Sequence, residues 1–182
     1  MEKLSEKDLK IKELENKSII LSNVERFNEK PKSLIYVKNG FAITYSQEIS
    51  HLGILKKFTY EGYLIDDNSR SNCADKYIIN MDCDLQYDEK HKCIKSIYIS
   101  DFIADELKRD QGYGGIIMNC LIEYAQKLKV EYIYGELSFV DIGKDEGETD
   151  IEKIKNRERL YHFYPKYGFV ITDNRIERTM LK

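Results

Sequence analysis

No two cysteines in this chain stand close enough in sequence to pre-form half of a tetrahedral metal site. Cys73, Cys83, Cys93 and Cys120 contain no CxxC pair. The even spacing of Cys73, Cys83 and Cys93, with His91 nearby, makes zinc conceivable, but zinc ligands usually come in tight pairs, so free thiols and no metal are expected. Also missing is any run of Lys and Arg without interleaved acids, and the net charge is −3. A partner gripped mainly through phosphates needs a basic face, so no nucleic acid is expected. No stretch approaches the roughly 18 consecutive apolar residues of a membrane span. The opening residues, Met1 to Asp8, are too polar and too acidic for a signal peptide, so a cytoplasmic protein without membrane attachment is expected. No internal repeat or low-complexity tract stands out.

What is present is 182 residues, 42% hydrophobic and 34% charged. That suits one domain with a sizeable core plus an appendage. Residues 5–27 read as a helix: Ser5 and Asp8 offer a capping box, and Leu4, Ile11, Leu14, Leu21 and Val24 recur at helical spacing. Pro31 closes it, which puts a helical appendage at 1–32 and the main domain at 33–182. The helix either packs on the domain or forms a short coiled-coil arm, which leaves a homodimer open.

The main domain begins with Leu34 to Lys38, the turn Asn39-Gly40, and Phe41 to Tyr45. Asn-Gly supplies the positive φ angles of a type I′ turn, so this is a hairpin. Further strands are expected around 53–64, 76–82 and 93–104, with a polar loop from Asp66 to Asp75. From Gly112 to Lys129 the pattern turns helical, with Ile116, Ile117, Cys120, Leu121, Tyr124 and Leu128 on one face. Glu131 to Ser138 reads as a strand, Asp141 to Asp150 as an acidic loop, and Ile151 to about Tyr164 as a helix ended by Gly168. Phe169 to Thr172 and Ile176 to Leu181 flank Asp173-Asn174 as a last hairpin. A helix joining the strands at 93–104 and 131–138 makes them parallel neighbours.

The chemistry concentrates in Arg109-Asp110-Gln111-Gly112-Tyr113-Gly114-Gly115, between a strand and a helix. A turn with little Cβ bulk lets several backbone N–H groups point at one spot, and the helix adds its positive dipole end. Such an assembly suits a pyrophosphate, although a plain tight turn is the simpler reading of the glycines alone. The spacing differs from the dinucleotide fingerprint, and the Walker lysine and hydroxyl are absent.

With Phe163-Tyr164-Pro165-Lys166-Tyr167-Gly168-Phe169 at the end of the last helix, these residues resemble the GNAT superfamily of N-acetyltransferases. Arg109, Gly112 and Gly114 match its Arg/Gln-x-x-Gly-x-Gly/Ala hallmark, and the second segment looks like its Tyr-x-Lys-x-Gly-Phe ending. The resemblance covers residues 95–182. It implies an α/β fold: a mixed, mostly antiparallel sheet with helices on both faces, here preceded by the N-terminal helix. It also implies acetyl-CoA as co-substrate. Backbone amides of Gln111, Gly112, Tyr113, Gly114 and Gly115 would then hold the pyrophosphate, with Arg109 shaping the loop. Phe102, Ile103 and Ala104 would pair with the pantetheine arm, and Tyr164 would protonate the departing thiolate. A packed aromatic is the plainer reading of any one of fourteen tyrosines.

Asp110 is an unusual charge for such a loop, and Pro165 replaces the usual acidic residue and is expected to end the helix early. The family's asparagine falls at Arg157, so Asn156, one position off, is the candidate. The two helices that usually precede the first hairpin are not visible. An amine must lose a proton to attack a thioester, and Asp101 and Glu136 are the candidate bases. His162 reads as packing or surface. The acceptor is a small-molecule or peptide amine of unknown identity. The competing function is a coenzyme A-binding module that no longer catalyses and serves as a sensor or scaffold.

Overall fold

The computed structural model describes residues 33–38, 41–64, 77–105, 110–137 and 150–180. The N-terminal helix, the 66–75 loop, Arg109 and the acidic loop at 141–149 lie outside these residues. Among the described residues, eight strands form one sheet in the order β1-β2-β3-β4-β5-β6-β8-β7. They are β1 (Ser33–Lys38), β2 (Phe41–Ile49), β3 (Leu55–Leu64), β4 (Ile79–Asp88), β5 (Cys93–Ala104), β6 (Tyr132–Glu136), β7 (Val170–Thr172) and β8 (Arg175–Thr179). Of these described pairs only β5 and β6 run parallel, as their connecting helix requires, and the others are antiparallel. The sheet is thus mixed and mostly antiparallel, as expected. The first hairpin pairs across residues 39–40, with Lys38 opposite Phe41.

Helix α1 (Tyr113–Leu128) covers one face. Strand alternation turns Phe41, Ile43, Phe58, Tyr60, Ile79, Met81, Cys83, Ile97, Ile99 and Ile133 onto that face, where they close a core with Ile117, Met118, Leu121 and Ala125. The helix face is rotated from the one the sequence suggested: Met118 and Ala125 are fully buried, while Ile116, Cys120, Tyr124 and Leu128 flank the contact. Tyr124 reaches back to the sheet, where its hydroxyl lies 3.0 Å from that of Tyr45. Burial first, and this neighbour second, push the Tyr45 phenol well above its ordinary range.

Strand β4 runs on to Asp88 instead of stopping near residue 82. Cys83, expected as a free thiol, is buried opposite Ile99, whereas Cys93 is exposed opposite Asp88. Burial pushes the Cys83 thiol well up, away from the thiolate a metal would need.

One glycine links this core to the start of α1. A Cβ on Gly62 would run into Ile79 Cγ2 and come within 2.6 Å of the Phe41 ring. Phe41 in turn stacks on Tyr113, the first residue of α1, at 4.5 Å between ring centroids. Gly62→Ala is therefore expected to cost about 1–3 kcal/mol by overpacking, read as a lower urea midpoint. An unchanged midpoint would show that this contact relaxes freely.

Candidate active site

Helix α1 starts without a side-chain cap. Gly112 takes the N-cap position at φ 85°, a left-handed conformation that needs no Cβ. Asp110 is left-handed too, at φ 62°, which Asp tolerates better than most residues. A Cβ on Gly112 would meet nothing within 4 Å, so that side of the exposed glycine faces open space. The N–H groups of Gly115 and Ile116 bond the Gly112 carbonyl at 3.1 and 3.3 Å, so the helix's own first turn engages both. Residues earlier in the turn have no intrahelical acceptor, as at every helix start.

Beside this helix start, among the described residues, the β5–β6 pairing ends at Ile99 opposite Gly135, yet β5 continues to Ala104, paired on its other edge with β4. Phe102, Ile103 and Ala104 therefore flank a gap between two parallel strands. The Phe102 ring lies 5.9 Å from that of Phe163. Both rings come to 3.5 Å from a Cβ built on Gly114.

The second motif arrives on the same side. Helix α2 (Asp150–Phe163) gives way to a 3-10 turn, Tyr164–Tyr167, at Pro165, as the proline led one to expect. Gly168 ends it at φ 74°. Tyr164 is only 5% exposed, with its ring 5.3 Å from Phe163 and 5.7 Å from Phe169. Tyr167 points its hydroxyl at the spot a Gly115 Cβ would occupy. Arg178, on β8, donates from Nη1 to the Tyr167 carbonyl and fastens the turn to the sheet.

No protein-family model matches the sequence, and no curated protein matches it. Solved structures do. Arabidopsis thaliana Naa50, in complex with the bisubstrate analogue CoA-Ac-MVNAL, is similar over 67% of this chain and 72% of that one. The identity is 18% and the TM-score 0.47. A GNAT family acetyltransferase from Elizabethkingia anophelis with acetyl-CoA bound matches over 69% and 77%, at 15% identity and a TM-score of 0.43. Nourseothricin acetyltransferase matches over 87% and 93%, at 12% and 0.46.

Of the residues singled out from sequence, the structure gathers Phe102, Gly112, Tyr113, Gly114 and Gly115 at the mouth of the gap, with Phe163 and Tyr167 over the last two glycines. Phe163 and Tyr167 had no assigned role in the sequence reading. Their spacing from Tyr164 was the available signal, because positions one and three along a tight turn share its vicinity. Gln111 is exposed in the loop. Asn156 is half-buried on α2, eight residues before Tyr164, about 12 Å along a helix axis. His162 is exposed.

Asp101 and Glu136 share the sheet face opposite α1. Asp101 pairs with Asp82, and Glu136 with Arg175, so the two exposed carboxylates stand on either side of the gap. Asp82 already accepts from Thr59 Oγ1 at 2.6 Å and from Lys57 Nζ at 3.1 Å.

Proposed function

We propose that this protein transfers an acetyl group from acetyl-CoA to a primary amine. The observation that carries this reading is the parting of β5 and β6 beside a glycine-capped helix start. An extended thioester arm can add to the edge of β5 that no described residue pairs, by main-chain hydrogen bonds at Phe102, Ile103 and Ala104. Its pyrophosphate then meets the N–H groups of Gln111, Gly112, Tyr113 and Gly114 and the helix dipole. Gly115 serves by leaving room for Tyr167, and Arg109, which directly precedes Asp110 in sequence, would supply a positive charge. Asn156 would sit toward the coenzyme from α2.

In the reaction, the amine nitrogen attacks the thioester carbonyl. A C–N bond forms and the C–S bond breaks. The proton lost by the ammonium goes to Asp101 or Glu136, directly or through water. The departing thiolate takes its proton from the Tyr164 hydroxyl, and the second proton that the nitrogen sheds as the amide forms restores the phenol.

Acetyl-CoA at one hundred times its Kd is expected to stabilise the native chain by about 2.7 kcal/mol. For a domain of this size that raises the melting temperature by about 5–10 °C. Released thiol should then appear when primary amines are added. No shift at millimolar acetyl-CoA would overturn the assignment. A shift without thiol release across a broad amine panel would favour a coenzyme-binding module instead.

A further inference from the structure

The sheet face opposite α1 is strongly acidic. On β2 to β8, alternation places Glu48, Glu61, Asp82, Asp84, Asp101, Glu136 and Glu177 there, against only Lys57 and Arg175 among the described residues. Both cations are engaged: Lys57 pairs with Asp82 at 3.1 Å, and Arg175 with Glu177 at 2.8 Å. Neighbouring carboxylates hold the Lys57 ammonium charged: burial lowers its pKa, but the hydrogen bond to Asp82 and the charges of Asp84 and Glu48 outweigh that and raise it.

Acidity alone marks no site. What distinguishes this face is the row that precedes the gap. Asp84, Tyr98, Tyr134 and Glu177 stand in register across β4, β5, β6 and β8. The Tyr98 and Tyr134 rings lie 5.1 Å apart, and Tyr132 adds a third ring 5.5 Å from Tyr134. The ring cluster already receives a cation, for the Arg175 guanidinium lies 5.1 Å from the Tyr134 centroid. Burial, and then Tyr132, Tyr98 and Asp84, raise the Tyr134 phenol against the opposing pull of Arg175, so the carboxylate of Asp84 acts on the same ring group. One row further from the gap, on the same face, Ser96 stands opposite Tyr132, and its fully buried Oγ has no hydrogen-bond partner.

We propose that the acceptor is an oligocation: besides the amine that is acetylated it carries a second ammonium group, which rests on Tyr98 and Tyr134 beside Asp84. This rests on the acetyltransferase reading, because it takes the gap between Asp101 and Glu136 as the place of reaction. The two groups would then be separated by two residues along a strand, on the order of 7 Å. An ammonium at that spot meets ring faces and a carboxylate together, whereas an alkyl group there would take water from Asp84, whose neighbour across the strands, Lys57, is already bonded to Asp82, and would return no charge.

The test compares 1,5-diaminopentane with pentylamine, which has the same carbon chain but one amine. At low salt the diamine should show at least tenfold higher kcat/KM, with the preference shrinking as salt is added. Asp84→Asn and Tyr134→Leu should each bring the ratio toward one, while Glu123→Gln, a charge removed from the exposed surface of α1, should keep it. Melting curves check that Tyr134→Leu folds. Equal use of the two amines by the native protein, or a ratio untouched by Asp84→Asn, overturns the proposal. If neither amine is acetylated, calorimetric titration of both into the coenzyme A-loaded protein decides instead, and equal or absent binding overturns it. The acetyl-CoA melting shift reports separately on the underlying acetyltransferase reading.

Discussion

Replacing Tyr164 with Phe is expected to lower kcat by about 100-fold while the KM for acetyl-CoA barely changes. That is the pattern of an interaction made chiefly in the transition state. The substitution removes one hydroxyl. The ring keeps its edge contacts with Phe163 and Phe169, so the 3-10 turn should hold its place. The turn is also anchored independently of that hydroxyl, by Arg178 on the Tyr167 carbonyl and by Gly168 in its left-handed conformation. A tyrosine that only fills space at 5% exposure predicts the reverse: a lower melting temperature with kcat intact. Steady-state kinetics and a melting curve on the one variant separate the two. Native kcat in Tyr164→Phe would remove this residue as the acid.

The second large effect is expected at the glycine loop, and there binding and stability should move apart. Gly114→Asp should weaken coenzyme A binding at least tenfold, about 1.4 kcal/mol. Its Cβ would stand 3.5 Å from Phe102 and Phe163, ordinary contact distance, so the fold has room for it. A carboxylate in the first turn of α1 even suits the helix dipole, and the melting temperature should hold or rise slightly. The pyrophosphate would meet that same charge, next to the one Asp110 already supplies. Calorimetry that finds unchanged affinity would place the phosphates elsewhere. Lost stability would show instead that the aromatic contacts over Gly114 are tighter than they stand.

Much of the scaffold was legible because it depends on near neighbours in sequence. Strand β5 came out at residues 93–104 in full, since Ile94, Ile97, Tyr98, Ile99, Phe102 and Ile103 make it rich in β-branched and aromatic residues. The sequence reading ended β4 six residues early: Asp82, Asp84 and Gln86 alternate with Cys83, Leu85 and Tyr87, and that many polar residues reads as a loop until β3 and β5 are there to pair them. The face of α1 was misjudged by a fraction of a turn. Periodicity finds a stripe, but only the sheet decides that Met118 and Ala125 lie at its centre.

The candidate site divides in the same way. Sequence by itself determined the glycine start of α1, the break at Pro165 and the stop at Gly168, because each follows from φ restrictions or a missing Cβ within a few residues. Tertiary structure alone decided where Asp101 points. Counting alternate residues from Ile97 and Ile99 would put Asp101 on the core face under α1. Between the pairs Cys83–Ile99 and Asp82–Asp101, however, β5 carries one extra residue, Ser100. Side-chain direction has a period of two, so that bulge turns Asp101 to the opposite face, the one that bears Tyr98, Tyr134 and Glu136. It also turns Phe102 inward, toward Gly114 and Phe163. A bulge depends on how two strands far apart in sequence settle their pairing, which no local pattern in either strand records.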